Sequence, residues 1–535
     1  MSKKSEWIFL LVILVTAVFV RLWQLDLIPP GLYPDVAING NDALEILKTG
    51  NFKVFYPENN GREGLFMWLI AASFSIFGVS IWSIKIVAAI IGILTVLGLY
   101  LLVKEIFETT NNQRSTINKE AVALLSSFFL AISFWHINFS RIGFRAILLP
   151  FILVFSFYFL FRGFRTQRIK DVIIAGIFFG LGFYTYTSFR VAVLLLLIVL
   201  ICWWFIYRKQ VIQKKYFFLV FCFLCVTFII ALPIGIYFLQ HPQDFIGRAA
   251  PISIFAAENP LKEFGKSFIL HLGMFNFYGD SNWRHNFSGS PMLPWSLGIL
   301  FLIGIIFSFK ELISFKNHKN WSLAISYWLL VIWFFIMLLP GILTYEGIPH
   351  ALRVIGIIPV VYIFTGLGGW WTYEKLKQII KNQKLLIVFC FLFFVAIGYS
   401  EFNKYFISWA KNPNVEGAFT QKFAEIGYYL NSLPSGTQKY VIVNEAGVPV
   451  PFPWPQGLPM PAQTPMFIES IKSGQPKAIY LKPQDLDKIQ MSNILNKETV
   501  IIPMKYDENL LKELETKFPQ GQTKKINEIA VYEIK

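Results

Sequence analysis

The sequence predicts a polytopic α-helical membrane protein with a small α/β domain at its carboxyl end. Three observations carry this prediction. Hydrophobic residues make up 55% of the 535 residues and charged residues only 15%, with a mean hydropathy of +0.54. Apolar runs recur with the length of about 20 residues that a helix needs to cross the hydrocarbon core. From about residue 401 onward, the long apolar runs give way to short ones, as expected for strands and helices of a water-exposed domain.

Eleven apolar runs are predicted to be membrane spans. They lie near residues 7–25, 82–103, 121–138, 146–162, 172–188, 190–207, 217–239, 293–309, 321–340, 353–372 and 385–400. A further run at 64–78 contains Ser73, Ser75 and Gly78 and favours an interfacial or re-entrant helix. If that run crossed the membrane instead, every later loop would change sides.

The distribution of Lys and Arg supports the eleven-span interpretation. Under it, alternate loops are basic, as the positive-inside rule requires for cytoplasmic loops. The basic segments are 3–4, 104–119, 162–170, 208–215, 310–319 and 375–384. The formal charge of +16 therefore reflects topology, and nucleic acid is not expected as a partner. This orientation predicts a plasma-membrane protein with a cytoplasmic amino terminus and an extracytoplasmic C-terminal domain.

We expect two domains, a membrane domain at 1–400 and an α/β domain at 401–535. The first polar loop of the membrane domain, about 26–80, is extracytoplasmic in this topology. In the second domain the segments KYVIVN, KAIYLK, TVIIPMK and IAVYEIK read as buried strands, and helices are expected near 415–431, 462–473 and 507–517. A Pro-rich segment, GVPVPFPWPQGLPMPAQTP, is suited to folding back on the membrane domain.

The first polar loop carries the most chemical information. Carboxylates and cations beside a bilayer are costly unless they serve a polar site, so we take Asp35 as the centre of such a site. The same loop offers Asp42, Arg62 and Glu63 as substrate ligands. Asp42 and Glu45 are three residues apart on one helix face, so Asp42 could supply a second carboxylate, although a solvated helix face is an equal alternative.

Other loops assigned to the same side add cations. The candidate substrate-binding residues are Arg141, Arg145, Arg284, His285, His350 and Arg353. An Arg at the end of a span is often a snorkelling anchor, but anchors should favour the cytoplasmic side, which weakens that explanation for the set. One carboxylate with several cations suits transfer from a sugar phosphate: the cations hold the leaving phosphate and the carboxylate takes a proton from the attacking hydroxyl.

A series of motifs then resembles one family. They are RLWQL, GLYPD, DALEI, FYPENNGREGLF, FWHINFSRIGFR, GDSNWRHNFSGSPML and LPGILTYEGIPHALRVIGIIP, spread over about residues 5–400. In this order they resemble the bacterial glycosyltransferases of the protein O-mannosyltransferase and lipid A aminoarabinose transferase superfamily, which have the GT-C fold.

The resemblance implies a hexosyl- or pentosyltransferase that uses a polyprenyl-phosphate sugar, inverts the anomeric centre and has the first-loop Asp, here Asp35, as general base. It implies no metal, and no cofactor is expected; a divalent metal held by Asp35 and Asp42 is possible but not favoured, because it would need further oxygen ligands. The sequence leaves a lipid, protein or cell-wall glycan open as the acceptor. Protein mannosyltransferases usually carry Glu after this Asp, whereas this chain has Val36, so their mode of acceptor handling is not carried over.

Two other classes of protein remain as alternatives. A polytopic transporter would also have many spans, but it should show inverted repeats and charges near the midplane, which this sequence does not display. A scaffold that binds partners through its tail would explain the C-terminal domain but not the cations of the other loops.

Overall fold

The computed structural model describes residues 2–108, 117–207, 213–247, 250–314, 321–451, 455, 457–489 and 497–534. Parts of the predicted basic loops at 104–119, 208–215 and 310–319, and part of the Pro-rich segment, lie outside these residues. Contacts divide the chain into two compact units. The first unit comprises Met1–Leu25 and Ala88–Lys411, and the second comprises Asp26–Val87 and Asn412–Lys535.

Helices dominate the first unit. Its helices are α1 (Lys3–Leu22), α4 (Ile81–Ile106, shared with the second unit), α5 (Lys119–Ile132), α6 (Phe134–Phe139), α7 (Leu148–Thr166), α8 (Ile169–Gly182), α9 (Ala192–Tyr207), α10 (Gln213–Gln240), α11 (Pro242–Ile246), α12 (Pro260–Gly273), α13 (Trp295–Ser314), α14 (Trp321–Ile342), α15 (Ile358–Ile379) and α16 (Gln383–Phe402), the last followed by a π-helix at Asn403–Trp409. Between α1 and α4 the second unit contributes α2 (Pro34–Thr49) and α3 (Leu65–Phe77).

Nine helices within the described residues are long and apolar enough to cross a membrane. They are Lys3–Leu22, Ile81–Ile106, Arg145–Thr166, Thr187–Phe205, Lys214–Gln240, Trp295–Ile313, Ile325–Ile342, Ile355–Ile379 and Gln383–Trp409. This confirms a multi-pass α-helical membrane protein. The predicted count of eleven spans stays a prediction.

The two remaining predicted spans coincide with shorter helices. Near 121–138 the chain forms α5, of 14 residues, and then α6, with a break at Ser133, whose side chain accepts a hydrogen bond from the backbone N–H of His136. Near 172–188 it forms α8, also of 14 residues, which ends at Gly182. The run at 64–78 forms α3, whose 13 residues are too few to span the hydrocarbon core as a helix.

The C-terminal part of the second unit contains the expected α/β fold. A five-stranded sheet has the order β6-β3-β7-β9-β8, with β3 parallel to β6 and β7, and β9 antiparallel to β7 and β8. Its strands are β3 (Gln438–Ile442), β6 (Ile479–Leu481), β7 (Thr499–Pro503), β8 (Gly521–Ile526) and β9 (Ile529–Ile534). The predicted strands and helices of this domain are confirmed.

Helices cover both faces of this sheet. The helices of this part of the chain are α17 (Pro413–Ala418), α18 (Gln421–Ser432), α19 (Gln463–Ser473) and α20 (Glu508–Lys517). One face packs Val441, Val500 and Ile502 against α18 and α19, and the other packs Tyr440 and Ile501 against α20. This alternation of buried side chains on the two faces follows from the two-residue period of a strand.

Within the second unit the first polar segment packs against the tail. Asn41 of α2 donates to Gln463 Oε1 of α19 at 2.9 Å, and Thr464 donates to the carbonyl of Leu32 at 2.9 Å. Gly40 permits this close packing, since a Cβ there would lie 2.6 Å from the ring of Phe467. Described parts of the Pro-rich segment form the short strands β4 (Pro449–Val450) and β5 (Leu458–Pro459).

Candidate active site

In the second unit, Asp35 lies in the first turn of α2. The helix begins after Tyr33 with Pro34 as its first residue, a position where the missing N–H of proline costs nothing. A carboxylate in the first turn is stabilised by the positive end of the helix dipole. The side chain of Asp35 is partly exposed and accepts a hydrogen bond of 2.9 Å from the amide of Asn59.

Asn59 lies in the turn of a hairpin formed by β1 (Phe55–Tyr56) and β2 (Arg62–Glu63). Asn59 has φ of 54°, Asn60 of 61° and Gly61 of 86°, so three consecutive residues adopt the left-handed region. Asn and Gly tolerate this backbone better than other residues do. The turn therefore directs the amide of Asn59 at the carboxylate of Asp35.

Arg62, on the second strand of the hairpin, is fully buried and holds the hairpin on α2. Its guanidinium pairs with Asp42 and donates to Asn39 Oδ1 at 3.0 Å, and its Nε donates to the carbonyl of Glu58 at 3.3 Å. Burial raises the pKa of Asp42 to about 6, although Arg62 opposes the shift. These contacts favour a structural role for Arg62 and Asp42, whose contact with substrate stays a prediction.

The other acids of this segment differ from Asp35 in their partners. Glu45 forms an ion pair of 3.1 Å with Lys53, so Asp42 and Glu45 each bind a different cation. Glu63 is buried in β2. Asp35 forms no ion pair within the described ranges, and its role as a base stays a prediction.

We expect Asn59→Gly to lower the turnover rate without changing the KM for the donor, because the variant removes the hydrogen bond that orients Asp35. Glycine accepts the positive φ, so the backbone of the hairpin should survive. Asn60→Gly is the matched control, since it has the same backbone conformation. Equal turnover in both variants would show that the Asn59 amide does not position the base.

In the first unit, Asp280 joins two loops that carry candidate ligands. Asp280 itself is not among the candidate ligands predicted from the sequence. Its Oδ2 accepts from Nδ1 of His285 at 2.9 Å and from the backbone N–H of Ala351 at 2.8 Å, and its Oδ1 accepts from the backbone N–H of Asn282 at 2.8 Å. Asp280 is 2% exposed, so these charge-assisted bonds lie in a site of low dielectric.

The two loops bring His285 and His350 together. Their ring centroids are 4.8 Å apart, and Nδ1 of His350 lies 3.9 Å from Oδ2 of Asp280. The ligand atoms of Asp280, His285 and His350 all lie within 4.8 Å of one another, a donor set that zinc also accepts. The expectation that no metal is required stays a prediction.

Arg284 and Arg353 flank these histidines in the chain. The carbonyl of Arg284 accepts from Asn138 at 2.6 Å, and the guanidinium of Arg353 donates to Thr344 Oγ1 at 2.8 Å and to the carbonyl of Glu346 at 2.6 Å. Both side chains are partly exposed. Asp280 thus fixes the two loops from which these arginines extend.

Arg141 and Arg145 have different surroundings. The guanidinium of Arg141 is fully buried and donates to the carbonyls of Val20 at 3.1 Å, Trp23 at 2.8 Å and Gln24 at 3.0 Å, which favours a role in closing the end of α1. Arg145 is 8% exposed and lies over the ring of Tyr186. Substrate contact by either arginine stays a prediction.

His271, on α12, supports the His350 loop. Its Nδ1 donates to the carbonyl of Ser267 at 2.8 Å, so its Nε2 accepts from the backbone N–H of His350 at 3.2 Å. Burial lowers the pKa of His271 from 6.5 to about 4, against the opposing effect of the Ser267 carbonyl. His271 is therefore neutral near pH 7.

This pKa predicts a loss of stability on acidification. The unfolded chain binds a proton at His271 near pH 6.5, whereas the folded chain binds it only near pH 4. The contribution of neutral His271 to the free energy of unfolding is therefore fully present above pH 6.5 and is lost as the pH drops towards 4. Between pH 7 and 5 the loss is about 2 kcal/mol. Thermal unfolding in detergent should show a smaller shift between these pH values for His271→Asn than for the unchanged protein. An equal shift would contradict a buried neutral His271.

The fold defines a class: a multi-pass membrane protein with a C-terminal α/β domain. Comparison with known proteins agrees. The family model described as dolichyl-phosphate-mannose-protein mannosyltransferase matches residues 65–237, which is less than half of the chain and does not include Asp35. Among curated protein sequences, none matches this chain.

Solved structures resemble all or most of the chain in fold. ArnT from Cupriavidus metallidurans, bound to undecaprenyl phosphate, has a TM-score of 0.58 at 11% identity, over 100% of this chain and 98% of its own. The archaeal oligosaccharyltransferase AglB from Archaeoglobus fulgidus, in complex with an inhibitory peptide and a dolichol-phosphate, has a TM-score of 0.50 at 14% identity, over 81% of this chain and 58% of its own. The GT-C fold that the motifs indicated is confirmed.

Proposed function

We propose that this protein is a membrane glycosyltransferase that moves a hexose or pentose from a polyprenyl-phosphate donor to an acceptor hydroxyl on the extracytoplasmic side. The observation that carries the proposal is the partly exposed, hydrogen-bonded carboxylate of Asp35 at the start of α2. The undecaprenyl phosphate of ArnT and the dolichol-phosphate of AglB support a polyprenyl-phosphate donor.

In the proposed reaction, Asp35 takes the proton of the acceptor hydroxyl as its oxygen attacks the anomeric carbon of the sugar. The bond from that carbon to the phosphate oxygen breaks, and polyprenyl phosphate leaves with the bonding electrons. A single displacement of this kind inverts the anomeric centre. Phosphate is a good leaving group, so the step needs neither a second carboxylate as general acid nor a metal.

Arg284, His285, His350 and Arg353 are proposed to hold the phosphate as it leaves. Guanidinium groups form charge-assisted hydrogen bonds to phosphate oxygens, and the N–H groups of imidazole rings also donate to them; negative charge builds on those oxygens as the bond breaks. We name these four residues the phosphate clamp. The proposal that the clamp and Asp35 serve one reaction comes from the shared side that the alternating basic loops assign to their segments.

The acceptor is proposed to be a lipid, protein or cell-wall glycan hydroxyl. Membranes that contain the protein should transfer label from a radiolabelled polyprenyl-phosphate hexose or pentose into a product whose extraction into solvent, protease sensitivity or wall association identifies its class. Membranes without the protein are the control. Labelling that is equal in both would contradict the proposal.

Topology gives a further prediction. In a variant without native cysteines, single cysteines at Ser288 and Ser435 should react with an impermeant thiol reagent in intact cells. A cysteine at Lys381, in a segment assigned to the cytoplasm, should react only after permeabilisation. Reaction at position 381 in intact cells, or protection of position 435, would contradict the topology that places the proposed base and the clamp on the same side of the bilayer.

A further inference from the structure

Helix α12 buries polar side chains and exposes apolar ones, whereas a helix on a soluble protein does the opposite. Its buried residues are Ser267 and His271, both polar. Its outward side carries Leu261, which is 81% exposed, and Ile269, which is 70% exposed. A soluble helix buries its apolar face, so an outward apolar face requires an apolar neighbour.

Apolar residues form a stripe along this helix. Leu261, Phe264 and Leu272, which are exposed, and Phe268, which is partly exposed, follow the spacing that places side chains on one side of a helix. Lys262 and Lys266 lie on the polar side of this helix and are exposed. An apolar stripe with lysines on the polar side is typical of helices that lie in the membrane interface.

The inward side of α12 contacts the end of a membrane span. Ser267 Oγ donates to the carbonyl of Gly341 at 3.3 Å, and a Cβ added to Gly341 would lie 2.5 Å from Nε2 of His271. Gly341 belongs to the last turn of the span Ile325–Ile342. Because α12 contacts the last turn of that span, α12 lies at the level where the span ends.

We propose that α12 lies in the bilayer interface, with its apolar stripe in the lipid hydrocarbon and its polar face holding the His350 loop at the depth of the lipid phosphates. The stripe therefore contacts bilayer lipid. The second half of this proposal rests on the proposed function, since it gives the phosphate clamp the depth at which a lipid-linked phosphate arrives. The hydrogen bond from the backbone N–H of His350 to His271 is the connection.

Lipid contact can be tested without any assay of activity. The full chain without native cysteines is reconstituted in phosphatidylethanolamine and phosphatidylglycerol vesicles, with a bimane label on a single cysteine at Leu261 or Phe268, and at Ser288 as a matched control. Lipids with a doxyl group just below the headgroup should remove most of the fluorescence at 261 and 268. Aqueous iodide should do so only at 288.

Two results would overturn the lipid contact. Iodide quenching at 261 would place the stripe in water. A label at 261 that neither quencher reaches would mean that protein covers the stripe. Quenching by lipid at 261 and 268 supports the proposal even if no sugar transfer is ever found.

The link to the clamp is tested with the double variant Leu261→Lys and Leu272→Lys, and the double variant Lys262→Ala and Lys266→Ala is the control. In the first variant, lipid quenching of a label at position 268 should be lost, and the KM for a long-chain donor in vesicles should rise severalfold with kcat unchanged. A fall in quenching with an unchanged KM would overturn the depth argument and leave the proposed transferase activity intact. Absence of turnover in the unchanged protein would contradict the proposed function alone.

Discussion

Asp35→Asn is expected to reduce sugar transfer by roughly 10² to 10⁴-fold, the range typical for loss of a general base. Asparagine has nearly the shape of aspartate and can still accept a hydrogen bond from Asn59, so the start of α2 should be unchanged. Donor affinity should survive, because the proposed base contacts the acceptor hydroxyl and not the phosphate. Turnover with labelled donor and a separate binding titration measure the two quantities.

The matched control is Asp26→Asn, which removes an exposed carboxylate from the same polar segment. It should transfer sugar at the normal rate. Asp42→Asn is unsuitable as a control, because it breaks the pair with the buried Arg62 and is expected to destabilise the hairpin. Normal turnover by Asp35→Asn would remove Asp35 from the proposed mechanism.

The second large effect is expected at the phosphate clamp. Arg284→Ala and Arg353→Ala should each weaken binding of polyprenyl phosphate by about 1.5 to 3 kcal/mol, the contribution of a hydrogen bond to a charged group. That energy corresponds to roughly 10- to 150-fold in Kd. Lysine in place of either arginine should restore part of the affinity, since it keeps the charge but loses the planar pair of donors.

Arg190→Ala is the control for this series. Its guanidinium lies 4.2 Å from the centroid of the Phe245 ring and donates to the carbonyl of Phe245. It is a cation of a loop assigned to the same side, and it should not change donor affinity. Unchanged affinity in both clamp variants would return Arg284 and Arg353 to the role of interfacial anchors.

Much of this fold follows from the sequence, because hydropathy and strand alternation are local signals. The nine long apolar helices and four of the five strands in the tail's sheet coincide with the segments that these signals predict, whereas β8 was not predicted. The breaks that shorten α5 and α8 were not predicted, since a capping serine at 133 or a glycine at 182 inside an apolar run does not lower the hydropathy of a long window.

The candidate site was only partly predictable. A charged residue near a span end has the same sequence signal whether it binds substrate or closes a helix, and only the fold shows that the Arg141 guanidinium meets three backbone carbonyls. Asp280 bonds to Ala351, 71 residues away in sequence, so its joining role depends on tertiary structure. The sequence around Asn59 likewise indicates only a turn, and its hydrogen bond to Asp35 depends on tertiary structure.

The central claim is that Asp35 drives transfer from a lipid-linked sugar phosphate, and release of polyprenyl phosphate by purified protein tests it most directly. The unchanged protein, given a polyprenyl-phosphate sugar and an acceptor extract, should release polyprenyl phosphate and form an equal amount of glycosylated acceptor with inverted anomeric configuration. Asp35→Asn should bind the same donor and release almost none. Release at the same rate by both proteins, or none by either with every hexose and pentose donor, would contradict the account.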